Sequence, residues 1–280
     1  MAVKFALFAL FAAFLHASWN ALVKSSSDRM LTLSAVSLME SATGALLIPY
    51  LPIPDPSSWP FIGLSTIFHY LYFIFLYQAY RTGDLSQIYP LARGLAPVLV
   101  ALGAAVFAKE SLSFLSFLGV IVASLGIASI SFLHESSLKK NPSALFFAAG
   151  TGIIIAGYTV SDGIGVRLSG SPFGYIAWLF LFEFPVVLFV LYRRWGRLAT
   201  SLRLEWKQFI GIGLSSVIAY GIVIYAMAHA PIAAISALRE SSVIMAALFG
   251  VFVLGERPWQ QRVTAAILVA GGVALITGFS

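Results

Sequence analysis

The chain is a succession of long hydrophobic runs separated by short polar breaks. Each run has about 19–25 residues, the length at which an α-helix crosses a hydrocarbon layer about 30 Å thick. Helices are predicted throughout, because the runs do not alternate polar and apolar residues and an open sheet would expose backbone amides to lipid. The ten predicted spans are residues 5–23, 31–51, 60–80, 86–107, 113–133, 142–166, 173–192, 208–228, 231–254 and 259–279.

The breaks between the runs contain residues that are typical of turns. Residues 25–29 are rich in serine, residues 52–56 contain three prolines, and the other clear breaks are 81–84 and 136–142. The longest polar connection, 193–207, has about fifteen residues, so no soluble domain is expected in any loop. Because hydrophobicity continues to Val23, we interpret the first run as a span and not as a cleaved secretory signal.

Composition supports a membrane protein. Of the 280 residues, 60% are hydrophobic and only 10% are charged, with a mean hydropathy of +0.93. Soluble domains have about 25% charged residues, so most soluble enzymes and disordered chains are excluded. The net charge of +6 is spread over the breaks, which indicates a lipid bilayer as the partner and not nucleic acid. The absence of cysteine excludes disulfides and thiolate metal sites.

Polar residues recur at nearly constant spacing in the two halves of the chain. The matched groups are Asn20 with Asp162, Glu40 with Glu183, Tyr72 and Tyr77 with Tyr220 and Tyr225, and Arg93–Glu110 with Arg239–Glu256. Five spans per copy is an odd number, so the second copy must be inverted relative to the first. Inverted repeats around a central site are typical of secondary transporters. We therefore predict two inverted five-helix repeats around a central cavity, at residues 1–136 and 137–280.

Four short segments carry a resemblance to a known family. They are His-Ala-Ser-Trp-Asn-Ala at 16–21, Pro-Leu-Ala-Arg at 90–93, Lys-Glu at 109–110 and Gly-Glu at 255–256. Together with the five-plus-five layout, they resemble the EamA-type members of the drug/metabolite transporter superfamily over the whole chain. The resemblance implies a multi-pass protein of the bacterial inner membrane that exports or imports a small metabolite. It leaves the substrate open among amino acids, phosphonates, sugars and cations.

Eight ionisable residues lie inside the predicted spans. They are His16, Glu40, His69, Arg93, Asp162, Glu183, Arg239 and Glu240. Such a residue costs at least about 2.5–3.5 kcal/mol to insert, so it is expected to face a cavity or a partner. Residues four apart share a helix face, which groups His16 with Asn20, Tyr89 with Arg93, and Tyr158 with Asp162. These faces are predicted to point inward.

Arg93 and Arg239 come from equivalent spans and could together bind a carboxylate or phosphonate. The alternative is internal pairing, of Arg93 with Glu40 or Asp162, and of Arg239 with Glu183 or Glu240. The predicted substrate-binding residues are Arg93, Arg239, His16, Asn20, Trp19, Tyr158, Asp162, His69, Tyr72, Tyr89 and Trp178. The aromatic members could stack on an organic substrate, or could pack between helices and at the membrane interface.

Glu40, Glu183 and Glu240 are the predicted proton-coupling residues. A carboxyl group in an apolar wall favours its neutral form, which can bring protonation into the physiological range. The alternative is a neutral hydrogen bond that locks two helices together. Glu110 and Glu256, beside Lys109 and Arg257, are expected to form local salt bridges or to cap loops.

Proline and glycine suggest where the helices bend and where they meet. Pro97 and Pro185 are predicted hinges, because each removes a backbone hydrogen bond. Glycines in the fifth and tenth spans predict close helix contact, within one chain or across a homodimer. These glycines are residues 119, 126, 271, 272 and 278, and both a monomer and a homodimer remain open.

We predict a secondary active transporter of a small organic metabolite that is amino-acid-like and zwitterionic or anionic. Alternating access with proton coupling is the expected mechanism. Multidrug or toxic-cation efflux is the alternative, although the first span lacks the glutamate of the small multidrug-resistance branch. A membrane-embedded enzyme is more distant, because the chain lacks HExxH and GxSxG motifs, and no cofactor is expected.

The orientation in the membrane stays open at this stage. With a cytoplasmic N-terminus, three loop or terminal Lys and Arg residues would face inward and twelve outward. The positive-inside rule therefore favours an outward N-terminus, whereas the family resemblance implies that both ends are cytoplasmic.

Overall fold

The protein is all-helical in the residues that the computed structural model describes, which are 1–26, 28–82, 85–132, 141–245 and 259–279. No strand occurs among them, and short 3-10 turns lie at 48–50, 56–58 and 130–132. The helices are α1 (Val3–Ser25), α2 (Arg29–Leu47), α3 (Trp59–Thr82), α4 (Leu85–Phe107), α5 (Phe114–Ser129), α6 (Pro142–Leu168), α7 (Pro172–Leu181), α8 (Phe184–Met227), α9 (Ile232–Glu240) and α10 (Trp259–Phe279).

Among the residues that the structure describes, seven helical segments are long and apolar enough to cross a membrane. They are Val3–Asn20, Met30–Tyr50, Tyr89–Phe107, Pro142–Leu168, Pro172–Ser201, Arg203–Met227 and Arg262–Phe279. The helix Phe114–Ser129 is apolar but shorter. The chain is therefore a polytopic membrane protein.

Two of the predicted spans are interrupted. The seventh run breaks at Phe182 and Glu183, between α7 and α8, and Pro185 lies in the first turn of α8. Proline is tolerated there because the first helical N–H groups have no partner within the helix. The ninth run breaks at Ser241, after α9, and a helical turn follows at 242–245. The rest of that run, to residue 254, lies outside the described residues, as do the predicted break at 136–140 and Glu256.

The polar connection at 193–207 is helical, as part of α8. A straight helix of 44 residues would be about 66 Å long. Val190 and Phe209 nevertheless pack in one cluster with Leu31, although they are 19 positions apart. The helical segment therefore bends sharply between Val190 and Phe209 and forms two arms. Arginine, leucine, glutamate and lysine favour helix, so a polar composition alone does not end one.

The two halves of the chain pack against each other along most of their length. Helix α3 lies against α6, α1 against α8, α2 against α7 and α8, and α4 against α6 and α9. Gln208 in the second arm of α8 donates to the carbonyl oxygen of Leu22 in α1 at 2.7 Å. The interior between the halves is thus built from helices of both.

Helices α5 and α10 meet through glycine. A Cβ added to Gly119 would lie 2.7 Å from the carbonyl oxygen of Gly272, and one added to Gly272 would lie 2.6 Å from that of Gly119. Gly126 is equally tight, whereas no atom lies within 4 Å of a Cβ on Gly271 or Gly278. The close contact of Gly119 and Gly126 with α10 is therefore formed within one chain, and Gly271 and Gly278 take no part in it.

This contact predicts a sharp difference between two adjacent glycines. Gly272→Ala should lower the free energy of unfolding by about 1–3 kcal/mol, because the backbone of α5 cannot yield without separating the helices. Gly271→Ala is the matched control and should leave stability unchanged or slightly higher, because alanine favours helix. Thermal unfolding of the two purified variants measures the difference. Equal melting temperatures would contradict the close contact.

Candidate functional site

Two buried arginines, one from each half of the chain, meet at one carboxylate. Arg93 on α4 places its Nε 2.5 Å from Oε2 of Glu240. Arg239 on α9 places a terminal nitrogen 3.1 Å and its Nε 3.3 Å from Oε1 of the same residue. The exposed fractions are 3% for Arg93, 4% for Arg239 and 0% for Glu240. We call these three residues the arginine–glutamate triad, which is closed to solvent in this conformation.

The triad decides between the pairings that the sequence left open. Arg239 is paired with its neighbour Glu240, as one alternative had it. The alternative that Arg93 pairs with Glu40 or Asp162 is wrong, because Arg93 shares Glu240 with Arg239. Arginine stays protonated in proteins, so with Glu240 ionised the triad carries one positive charge in excess.

Aromatic rings and hydroxyl groups surround the two guanidinium groups. The ring of Tyr89 lies 5.7 Å from the Arg93 guanidinium carbon, and that of Tyr158 lies 5.9 Å from the corresponding carbon of Arg239. Arg93 also donates to Ser242 Oγ, and Arg239 to Thr159 Oγ1, both at 3.5 Å. Cation–π contact is strongest away from water, so these rings help to hold the excess positive charge.

The predicted residues of α1 lie beside the triad. His16 is within electrostatic range of both Arg93 and Arg239. Its ring meets that of Trp19 edge to face at 4.9 Å. The indole N–H of Trp19 is buried and has no hydrogen-bond partner among the described residues. Asn20 donates to the His16 carbonyl at 2.8 Å, so this contact of its side chain lies within its own helix.

A second polar cluster lies on the other side of Tyr158. Asp162 accepts hydrogen bonds from Tyr220 at 2.5 Å and from Tyr175 at 3.2 Å. The hydroxyl of Tyr220 also lies 3.0 Å from Nε2 of His69. His69 stacks on Tyr158 at 4.5 Å, and Tyr158 lies under Arg239. Tyr158 and His69 therefore connect the triad with this cluster.

The two other predicted proton-coupling residues extend the second cluster. Glu183 lies between α7 and α8, with Oε1 4.0 Å from Nδ1 of His69. Glu40 accepts a hydrogen bond from Ser216 at 2.9 Å, and it lies within electrostatic range of Glu183. Both carboxyl groups are buried. The structure thus separates them from Glu240, which alone of the three contacts the arginines.

The remaining predicted residues divide between the site and its surroundings. Tyr72 meets Tyr158 edge to face at 6.2 Å and therefore belongs to the site. Trp178 instead packs on Trp59 and Phe182, and no contact in the structure joins it to the triad. The side chain of Tyr77 lies outside the described residues.

Sequence reasoning missed the tyrosines that hold Asp162. Tyr220 was noticed only as the repeat partner of Tyr72, and Tyr175 stood in no pattern. Tyr220 lies four positions after Ser216, so the two polar side chains share one helix face. This spacing could have indicated that Tyr220 faces the interior. No group of three or more His, Cys, Asp or Glu side chains in the described parts of the chain is placed to hold a metal ion.

Glu110 makes contacts that are not local. Instead of pairing with Lys109, its Oε1 accepts from Arg167 at 2.6 Å. Both of its oxygens accept from the backbone N–H of Ile232, at 2.9 and 3.0 Å, which caps the first turn of α9. Arg167 also donates to the carbonyl oxygens of Met227 and Ala230, at 2.9 and 2.7 Å. Glu110 therefore ties the end of α4 to α6 and α9, and Arg167 extends the connection to the end of α8.

Comparison with known proteins identifies the fold and the family. The sequence model of the EamA-like transporter family matches residues 3–132 and, a second time, 142–278. No curated protein matches the chain. A solved structure described as "Crystal structure of protein" superposes with a TM-score of 0.72 over 98% of this chain and 95% of that chain, at 16% identity. This similarity shows the fold alone.

The two family matches leave only short segments uncovered, and they confirm the resemblance found in the sequence. A transporter family and several membrane-spanning helices also agree with the predicted class of protein. The chain belongs to the EamA-like transporter family, with two EamA repeats in one multi-pass membrane protein.

Proposed function

We propose that the protein is a secondary active transporter of a small organic anion or zwitterion, amino-acid-like in character. The observation that carries this proposal is the arginine–glutamate triad, in which one arginine from each repeat meets a single carboxylate at a buried boundary. The excess positive charge favours a solute with a carboxylate or phosphonate group, which guanidinium groups bind bidentately. The protein is proposed to act without catalysis or a cofactor.

We propose ten spans in two inverted repeats, divided at 1–136 and 137–280, in the bacterial inner membrane. The helix contacts support this arrangement. The third helix of the first repeat, α3, lies against the first helix of the second, α6. The reciprocal contact joins α1 to the second arm of α8, which would be the third helix of the second repeat. A two-fold axis between the repeats would place α3 on the second arm of α8 and α6 on α1, and would thereby exchange the two contacts.

Alternating access is supported by the position of the polar contacts. His69–Tyr220, Glu40–Ser216 and Glu110–Arg167 each join one repeat to the other. Rocking of one repeat against the other would break and remake these contacts around the triad. Such a motion requires two alternative arrangements of the interface. Polar contacts between otherwise apolar helices can provide them by changing partners.

Multidrug or toxic-cation efflux is the second candidate function. It is favoured by the second cluster, where Glu183 lies within electrostatic range of both Glu40 and Asp162. Three carboxyl groups beside the rings of His69 and Tyr158 would suit an organic cation. The excess positive charge of the triad opposes this function.

Thermal-shift screening of the purified protein separates the two candidates. The solutes are amino acids, phosphonates, sugars and quaternary amines, and a bound ligand raises the melting temperature according to its affinity. We expect amino acids or phosphonates to raise it. A shift with quaternary amines alone would select the cation transporter, and a shift with sugars alone would contradict both.

The variants Glu40→Gln and Glu183→Gln should flatten the pH dependence of transport. These carboxyl groups face Ser216 and His69 across the repeat boundary, so protons are expected to exchange there when the repeats move. Glutamine keeps the size and the hydrogen bond but cannot exchange a proton. Uptake into proteoliposomes between pH 5.5 and about 8 measures the effect. Glu205→Gln, in the polar bend of α8, is the matched control, and unchanged profiles in both test variants would reject them as proton carriers.

A further inference from the structure

Glu240 occupies the position in which the carboxylate of a substrate would sit. Its two oxygens divide between the arginines, Oε2 toward Arg93 and Oε1 toward Arg239. A carboxylate between two guanidinium groups is the arrangement expected for a bound organic acid. In the closed conformation the protein thus provides this carboxylate from its own chain.

We propose that Glu240 is a resident counter-ion which the transported carboxylate replaces, and that it takes up one proton as it releases the arginines. This inference rests on the proposed function, and it assigns the proton of the binding step to Glu240, whereas Glu40 and Glu183 are proposed to exchange protons when the repeats move. The proton comes from the aqueous phase that the open site faces. No bond other than the O–H bond of Glu240 is formed or broken.

The burial of Glu240 favours this exchange. Glu240 is 0% exposed, and both of its oxygens face the arginines. A substrate carboxylate that takes its place between the two guanidinium groups leaves the Glu240 carboxyl group buried without a cation. A buried carboxyl group without a partner favours its neutral form, so Glu240 takes up a proton as it is displaced.

The other groups that face Glu240 cannot substitute for it. The neighbouring ionisable side chains are Tyr89 and Arg93 of α4, Tyr158 of α6 and Arg239 of α9. Tyr220 of α8 and His16 of α1 lie near the arginines. Helix α5 has no ionisable residue, and α10 has only Arg262. Among these groups Glu240 is the single acid, whereas Asp162 is held by two tyrosine hydroxyls.

The exchange determines how much charge enters the site with each solute. A monoanion binds together with one proton, so its binding adds no net charge. A zwitterion also binds together with one proton, so its binding adds one positive charge. A neutral sugar has no group that could replace Glu240 at the arginines and is excluded.

The direct test is proton uptake on binding. Acetate, as a bare carboxylate, and glycine, as a zwitterion, are added to the purified full-length protein in weakly buffered solution near pH 7. We expect about one proton taken up per bound solute, and an affinity that rises about tenfold for each unit by which the pH falls. Glu240→Gln should bind both solutes without proton uptake and independently of pH.

Controls separate this inference from the proposed function. Glu205→Gln, in the polar bend of α8, should keep the wild-type proton uptake. Glu240→Asp retains the acid and should restore the uptake that Glu240→Gln loses. If Glu240→Gln does not fold, Glu240→Asp still tests the assignment, because a shorter acid at this position should shift the pH range of the uptake, and an unshifted range would overturn the inference. Binding without proton uptake by the wild type, or unchanged uptake by Glu240→Gln, overturns the inference alone. No binding of either solute contradicts the proposed substrate class as well.

Discussion

Replacing Arg93 with alanine is expected to abolish transport while leaving a folded protein in the membrane. Glu240 keeps a partner in Arg239 at 3.1 Å, so the substitution leaves no buried carboxylate unpaired. The excess positive charge of the triad is lost, however. The substrate also loses one of the two guanidinium groups that are proposed to bind it. Truncating one partner of a buried charge pair costs about 2–5 kcal/mol in binding, so affinity should fall by roughly 30-fold or more.

Uptake into proteoliposomes and thermal unfolding of the same preparation measure the two sides of this prediction. The matched control is Arg203→Ala, which removes an exposed arginine in the polar bend of α8. It should transport normally. Full transport by Arg93→Ala would remove this arginine from the site, and failure of the variant to fold would instead show that Arg93 is needed for structure.

The second large effect is expected at the contact that ties the repeats together. Glu110→Ala removes the acceptor for the N–H of Ile232 and the partner of Arg167 in one step. Loss of a helix cap costs about 0.5–2 kcal/mol, and the ion pair, which is partly exposed, adds less. We expect a lower melting temperature together with slower transport, because α9 carries Arg239 and Glu240.

Two further variants identify the cause of that effect. Glu110→Gln keeps an oxygen that can accept from Ile232, so it should be intermediate. Arg167→Ala should lower stability too, and the double variant Glu110→Ala with Arg167→Ala should cost less than the sum of the single changes. Additive losses, or an unchanged melting temperature in Glu110→Ala, would contradict a shared role.

The helices could be predicted from the sequence where a hydrophobic run coincides with one helix. The predicted run at 142–166 corresponds to α6, Pro142–Leu168, and the last run has the bounds of α10. Hydropathy did not show that 193–207 is helical, because it distinguishes lipid from water and not helix from coil. The break at Glu183 was also missed, since a helix can stop within an apolar stretch when its backbone is satisfied inside the protein.

The candidate site was predictable in its members but not in its pairings. Charged residues inside spans are costly, which pointed to Arg93, Arg239 and Glu240 without any structure. Which acid meets Arg93 depends on how α4 and α9 pack, and that information is not contained in helix periodicity. The same reason explains why Tyr175 was missed, because only tertiary packing brings it to Asp162.

The most direct test of the central claim is solute uptake by purified protein in proteoliposomes under an inward proton gradient. Labelled glycine, a phosphonate and a quaternary amine are compared in the wild type and in Arg93→Ala. We predict accumulation of glycine or the phosphonate by the wild type, its collapse when the gradient is dissipated, and no accumulation by Arg93→Ala. Accumulation of the quaternary amine alone, or equal uptake by both proteins, would contradict an anion or zwitterion transporter built on the arginine–glutamate triad.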